Sequence, residues 1–510
     1  MFVVSVVKMW FIVLVAFITF IVYLNFFKIN TYWKEKGIPY LKPWPLIGNM
    51  GSIILRQREV SHITQDIYNA FPSSRYIGIY QFRKPTLFIR DPELIRLITI
   101  KSFNSFPEHS LFCNDENDVP KNKGLFSLGG KSGWLEMRKK LNGGFSPSKM
   151  KDMFGIINES VDTLIDYLEE RGDDSVVDTK DVFSRLNCNI ILSTIFGIEC
   201  NCLKELDNAL FLIGNEVNDY ASWRFIRIFS TVISMSLTKF FNIGLTRPYI
   251  GKYFLQVIKD SLTKRKRNKV YRADMIDFML DNKTEDDEHL NTKKPNLRED
   301  EMVMQLFGFF IGGFDAISAL LAYSTYELAV NQEIQNRLKR EVEEMSETQF
   351  TYENLMSMKY LDMFVSEVLR KWPIAVFIDR KCTEKYVIQP EQGNESGLLL
   401  EPGIVCWIPI YAIHRDPKYY PEPEKFDPER FSDENKHQIN RSVYFPFGAG
   451  PRTCIASKFS IYVCKLVLVR ILQVYQILKC GEETKPPSDV SKIVIFLSGS
   501  GCKVAFKQKN

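Results

Sequence analysis

Residues 445–460 read FPFGAGPRTCIASKFS, and the apolar residues beyond them, Ile461, Leu466, Val469 and Leu472, recur at helical spacing. Gly448, Gly450 and Pro451 mark a turn, so Cys454 stands where a turn enters a helix. A thiolate needs local positive potential. Free N–H groups at a helix start supply it, and glycines let the backbone come close. A lone cysteine is more often buried and inert; the glycine-rich entry and Arg452 two residues earlier set Cys454 apart from the rest of the ten cysteines.

Those ten are scattered without framework spacing, and the nearest pair, Cys200 and Cys202, has one residue between them, an awkward loop for a disulfide. Reduced thiols facing the cytosol fit best. Of the five histidines, His62, His109, His289, His414 and His437, no two have the i, i+4 spacing of a zinc pair on a helix. Any metal is therefore held by sulfur.

The chain has 510 residues, 45% hydrophobic and 25% charged, which gives a large core and excludes disorder as its general state. It has no interior linker rich in Pro, Gly or Ser and no repeat, so 51–510 reads as one catalytic domain. The net charge of +5 is small for this length and basic runs such as KRKRN from Lys264 are short, which argues against nucleic acid as a partner.

Ahead of that domain, MWFIVLVAFITFIVYLNFF (9–27) carries no charge over 19 residues. Its helical length of roughly 29 Å matches the hydrocarbon core of a bilayer. Residues 1–28 read as a single transmembrane anchor; the competing signal peptide has a shorter apolar run and a small-residue cleavage site. Lys28, Lys34, Lys36 and Lys42 follow the span and only Lys8 precedes it, so the bulk of the chain faces the cytosol. The prolines of GIPYLKPWPLIGNM (37–50) make 29–50 a basic, proline-rich hinge.

Helical periodicity runs over 160–170, 183–195, 301–329, 333–345 and 360–371. Short β-rich runs fall at 86–89, 386–388, 404–409 and 493–497. The charged stretch 281–300 reads as an exposed loop.

The string F-G-x-G-x-R-x-C-x-(G/A), matched by Phe447, Gly448, Gly450, Arg452, Cys454 and Ala456, resembles the haem-binding loop of the cytochrome P450 family. The resemblance covers essentially the whole chain. It implies a mainly α fold, a large helical domain with small peripheral β-sheets behind an N-terminal transmembrane helix. It implies haem b as cofactor, with Cys454 as the axial iron ligand whose electron density favours O–O cleavage. Ala456 stands where the family usually has glycine, the smallest departure available.

Three supporting patterns acquire meaning from the resemblance. Glu367 and Arg370 of SEVLRKWP (366–373), with Arg430 of PEKFDPERF (423–431), are implied to form a buried structural clamp behind the haem. Trp134 and Arg138 of GWLEMRKK, Arg380 of VFIDRKC, and Arg452 are implied to hold the haem propionates, since the arginine fork suits carboxylates. For Arg138 and Arg380 a surface salt bridge is the plain alternative.

The segment LFGFFIGGFDAISALLAYSTYELA (306–329) resembles the helix crossing the distal haem face. Gly312 and Gly313 suggest a widened turn with room for dioxygen, against a tight helix contact as the other reading. Asp315 is implied to relay protons. The threonine usual in the family is Ala316 here, and Ser318 faces away from that position, two residues along the helix. An ordered water or a substrate hydroxyl would then have to stand in.

The implied activity is oxygenation of a lipophilic small molecule, xenobiotic or endogenous lipid or hormone, with electrons from NADPH. The chain has no flavin or nicotinamide fingerprint, so those electrons come through a flavoprotein reductase, with cytochrome b5 as a second donor. Lys139, Lys140 and Lys458 are candidate contacts for it. Within the family, LFSLGGKSGWLEMRKKLNGGFSPSKMKDMF (125–154) is most like animal, and especially insect, microsomal members of the xenobiotic-metabolising clan, which implies the endoplasmic reticulum membrane. Phe309, Phe314, Val376 and Phe377 are implied at the substrate pocket, and 223–241 at the membrane surface, with core packing as the plain reading of each. Ala316 keeps two alternatives open: a haem-thiolate isomerase or peroxygenase, and a haem or ligand carrier without efficient oxygen activation.

Overall fold

The computed structural model describes residues 31–510 apart from 46, 56, 111–123, 131–132, 173–174, 219–247, 269–270, 281–296, 347–349, 392–395, 441, 488–500 and 510. Of the N-terminal stretch it describes 10, 12, 13, 15–17 and 19, which are helical and exposed. The rest of the expected anchor, the segment 223–241 and the strand expected at 493–497 lie outside the described residues.

The helices that build the site are α1 (Trp134–Leu141), α2 (Phe154–Arg171), α3 (Thr179–Phe196), α4 (Glu299–Phe314), α5 (Ala316–Val330), α6 (Gln332–Ser346), α7 (Lys359–Lys371) and α8 (Ser457–Val474). Their ends have local causes. The Asp178 carboxylate accepts the N–H groups of Lys180 and Asp181 at the start of α3, and Gly197 turns left-handed at its end. The Glu341 carboxylate on α6 receives the N–H groups of Tyr360 and Leu361 at 2.8 and 2.9 Å, anchoring the positive start of α7.

The strands are β1 (Tyr76–Gln81), β2 (Lys84–Ile89), β3 (Ser175–Asp178), β4 (Ile378–Lys381), β5 (Tyr386–Ile388), β6 (Leu398–Leu400), β7 (Val405–Ile408), β8 (Tyr475–Lys479) and β9 (Lys503–Gln508). They form sheets ordered β1-β2-β7-β4, β3-β9-β8 and β5-β6, all antiparallel but for β2 with β7. Helix dominates, as expected, and the sheets are small.

Two expectations are corrected. The single helix over 301–329 is two, interrupted at Asp315. Glu299 and Asp300 belong to the first turn of α4, where acidic side chains suit the helix dipole, and not to the preceding loop. The described part of the expected hinge is docked against β1. Trp33 is fully buried, its indole N–H donates to the Ile79 carbonyl at 2.9 Å, and a Cβ on Gly78 would lie 2.4 Å from its ring.

The centre of the core is α5, buried on nearly every side. It packs against α3, α7 and α8, so the chain on either side of Asp315 is fixed in the middle of the protein.

Candidate functional site

The turn before α8 is shaped by two left-handed glycines, Gly448 (φ 81°) and Gly450 (φ 75°). A Cβ at Gly450 would sit 1.9 Å from the Thr99 carbonyl oxygen, so only glycine fits. The Cys454 N–H donates to the Phe447 carbonyl and the Thr453 N–H to that of Gly450, both at 3.0 Å. Cys454 thus lies three residues ahead of Ser457, the first residue of α8. Burial pushes its thiol up; the Ala456 N–H on the sulfur and the Arg138 guanidinium pull the other way. Cys454 is deep in the protein yet exposed, so it opens onto internal space.

Three arginines converge beside it. Arg452 donates to the carbonyls of Pro107, Leu125 and Leu128 at 2.9, 3.3 and 2.5 Å and lies 4.2 Å over the Trp134 ring. Burial and the nearby Arg380 push it down to about 9, and Arg138 adds to this. Arg380, on β4, is pushed down to about 10 by burial; it donates to the Asp379 and Ala449 carbonyls, and its Nε has no hydrogen-bond partner among the described residues. Among the described residues no hydrogen-bond or ion-pair partner of Arg138 is found, and burial lowers its pKa. Among the described residues neither Arg138 nor Arg380 forms a salt bridge.

Buried guanidinium groups without matching anions are costly and call for a ligand with more than one negative charge. His109 and Asp379, which carry no spacing signal in the sequence, flank this cluster. The Asp379 carboxylate takes His109 Nδ1 at 2.9 Å and the Ser110 N–H at 2.5 Å, linking β4 to the loop after residue 105.

Gly308 and Gly312 lie four residues apart on one face of α4, and Ala316, four positions further, is the first residue of α5. A Cβ on Gly308 or Gly312 would meet nothing within 4 Å, whereas one on Gly313 would lie 3.0 Å from Ile191 Cδ1. Gly312 therefore leaves room, whereas Gly313 permits close packing against α3. Asp315, at the break, pairs with Lys180 of α3, whose ammonium also reaches Ser318 Oγ at 3.4 Å. Ser318 is buried and donates to the Asp315 carbonyl at 3.0 Å.

Glu367 and Arg370 are fully buried in a two-pronged pair at 2.7 and 2.9 Å, and Arg430 stands 3.6 Å from the same carboxylate. Arg370 also donates to the carbonyls of His414, Pro423 and Lys425. His414, not singled out from sequence, joins this cluster to the cysteine turn. Its Nδ1 is 3.2 Å from the Arg370 carbonyl and its Nε2 accepts the Phe445 N–H.

The expected pocket residues separate. Phe309 is half-buried, edge-on to Phe145 at 5.1 Å. Phe314, Val376 and Phe377 are core residues, a correction: Phe314 packs on Phe310, and Phe377 stacks on Trp407 at 4.0 Å. Accessible surface between α7 and β4 comes instead from Ile374, Ala375 and Ile378, the last 3.6 Å from a Cβ placed on Gly448. Strand alternation decides which apolar neighbours face inward, and an irregular approach to β4 hides that phase in sequence.

A sulfur ligand open to internal space, an unpartnered guanidinium nitrogen beside it and a glycine row that leaves room together fit haem: iron on Cys454, propionates on the arginines.

A family profile described as cytochrome P450 matches residues 38–504. Cytochrome P450 9e2 of Blattella germanica is 37% identical over 505 residues, covering 94% of each chain. Probable cytochrome P450 9f2 of Drosophila melanogaster is 34% identical over 468 residues, covering 88% of this chain and 89% of its own. Cytochrome P450 6k1 of Blattella germanica is 31% identical over 493 residues, 93% of each.

Proposed function

Since the chain belongs to the cytochrome P450 family and is a monooxygenase enzyme of that family, we propose that it hydroxylates a lipophilic small molecule at the Cys454 site. Haem bound through the Cys454 sulfur supplies the chemistry that splits dioxygen, one atom entering the substrate and the other leaving as water. NADPH provides the two electrons through a separate flavoprotein reductase, with cytochrome b5 as a second donor.

The observation that carries the reading is Cys454 itself, deep in the fold yet open to internal space, with the Ala456 N–H and Arg138 favouring its thiolate. Trp134 steadies Arg452 by stacking on its guanidinium, and Arg138, Arg380 and Arg452 neutralise the propionates. Glu367, Arg370 and Arg430 keep the chain behind the cysteine turn in place. Gly308, Gly312 and Ala316 leave space for dioxygen and substrate, and Asp315, held by Lys180, moves protons toward that space.

Phe309, Ile374, Ala375 and Ile378 present apolar surface, which suits a lipophilic xenobiotic, lipid or hormone. The uncharged run at 9–27 supports anchorage in the endoplasmic reticulum membrane with the catalytic domain in the cytosol. Lys139 and Lys458, both exposed, flank Arg138 and Cys454 in sequence and suit an acidic reductase surface; Lys140 is engaged with Glu136 at 2.8 Å.

The test is the reduced, carbon monoxide-bound spectrum of wild type and Cys454→Ser, with turnover of a lipophilic substrate panel by NADPH and reductase. Loss of the thiolate-type band in the variant and oxygenated product from the wild type are expected; a persisting band defeats the ligand assignment. Ala316 favours a second reading, peroxide-driven or isomerising chemistry, which turnover with peroxide but not with NADPH and reductase would select.

A further inference from the structure

The interruption at Asp315 is held from outside the helix that contains it. In a continuous helix the carbonyls of Gly313 and Phe314 would accept the N–H groups of Ile317 and Ser318. Here α4 ends at Phe314, and the first bond of α5 runs from the Ala319 N–H to the Asp315 carbonyl at 3.0 Å. The Gly313 and Phe314 carbonyls need other donors, because a buried carbonyl without one is costly.

Asn187 of α3 supplies both, and the Ser318 hydroxyl adds a longer contact to the Phe314 carbonyl at 3.4 Å. Its Nδ2 donates to the Gly313 carbonyl at 2.9 Å and to that of Phe314 at 2.6 Å, and the side chain is fully buried. The amide orientation follows from these contacts, since the reverse would set oxygen against two carbonyls. Its Oδ1 is then left buried without a hydrogen-bond partner among the described residues. A leucine would fill the same space with no such cost, so packing alone does not explain an asparagine here.

Lys180, Asn187 and Ile191 fall at i, i+7 and i+11, one face of α3. That face meets the break with a cation for Asp315, an amide for two carbonyls and a methyl group against Gly313. At 316 the chain carries only the methyl group of alanine, which offers no hydroxyl to hold a helical carbonyl locally.

We propose that Asn187 is the positioning residue that keeps the distal helix open between Gly312 and Ala316, and so sets the shape of the face where dioxygen and substrate meet. The consequence for turnover rests on the monooxygenase reading above; the geometry does not.

The experiment uses the full-length haem-loaded chain as wild type, Asn187→Leu, and Asn187→Leu with Ala316→Thr. Three quantities are read: amide hydrogen exchange across 313–319, the C–O stretch of carbon monoxide on the reduced protein, and product formed per NADPH with reductase. In Asn187→Leu the helix closes, exchange of the Ile317 and Ser318 amides slows about tenfold, the stretch shifts, and product per NADPH falls about three- to tenfold. Ala316→Thr restores part of the loss by giving the break a second local hydroxyl beside that of Ser318.

A folded Asn187→Leu protein with unchanged exchange and stretch overturns the proposal. Should that variant not fold, Asn187→Ser, with a shorter donor, is read in the same way, and no change in it is equally fatal. Absence of oxygenated product from the wild type would instead count against the monooxygenase reading, and the exchange measurement would still decide the role of Asn187.

Discussion

The Nε2 atom of His414 accepts the backbone N–H of Phe445 at 3.2 Å, the first link between the buried clamp and the cysteine turn. The chain of bonds continues: the Gly448 N–H donates to the Phe445 carbonyl at 2.9 Å, and the Cys454 N–H to the Phe447 carbonyl at 3.0 Å. On the other side, His414 Nδ1 faces the Arg370 carbonyl at 3.2 Å. One partner demands a donor and the other an acceptor, so the imidazole is neutral with its proton on Nδ1. His414→Phe keeps the ring and strands both partners. We expect a loss of about 2–4 kcal/mol of stability and a larger thiol-type share of the reduced carbon monoxide spectrum, as the cysteine turn loosens. An unaltered spectrum in a folded variant would sever this link.

The same histidine makes stability depend on pH. Burial, with Arg370 nearby, pushes His414 down to about 3 from an ordinary 6.5. Between those values the unfolded chain binds a proton that the folded chain refuses, so stability falls as pH drops through that window, by at most about 1.4 kcal/mol per unit. Burial also lowers His109, which acts in the same direction. Urea unfolding of wild type and His414→Phe between pH 6.5 and 4 should give a shallower slope for the variant; equal slopes would show that His414 is protonated in the fold.

Within the clamp the members are unequal. Glu367 and Arg370 have no solvent exposure and share two hydrogen bonds, while Arg430 is partly exposed and 3.6 Å away. Removing Glu367 strands Arg370 in the core, so Glu367→Ala should cost about 3–5 kcal/mol and prevent stable haem incorporation. Arg430→Ala should cost less, about 1 kcal/mol. Haem content and urea midpoints of the two variants check the order, and a reversal would relocate the centre of the clamp to Arg430.

These differences mirror what a sequence can carry. The turn at 448–454 is a local pattern and the helices around it follow the 3.6-residue period, so both were legible, whereas the E-x-x-R pair acquired meaning only from the family resemblance. The break at Asp315 was hidden because every residue from Ala316 to Ala322 suits a helix interior or a helix face, and its cause, Asn187, lies over a hundred positions upstream. His414 was one of five histidines with no spacing signal, because its two partners come from separate parts of the chain. Phe314, Val376 and Phe377 were implied at the pocket by the family resemblance, and their hydrophobicity could not test it, because it marks the core and an apolar pocket alike.

Arg138 offers a test in which stability and cofactor binding part company. It is half-buried, has no hydrogen-bond or ion-pair partner among the described residues, and helps push Arg452 down. In the haem-free chain its charge is therefore a burden, and Arg138→Leu should leave stability unchanged or raise it by up to about 1 kcal/mol. With haem present, the lost guanidinium leaves a carboxylate less well neutralised beside Cys454, and transfer of haem to an acceptor protein should quicken about tenfold. The two measurements, unfolding of the haem-free chain and haem transfer from the loaded one, must move in opposite directions. If the variant destabilised the haem-free chain and released haem no faster, Arg138 would be a packing residue, and the propionates would rest on Arg380 and Arg452 alone.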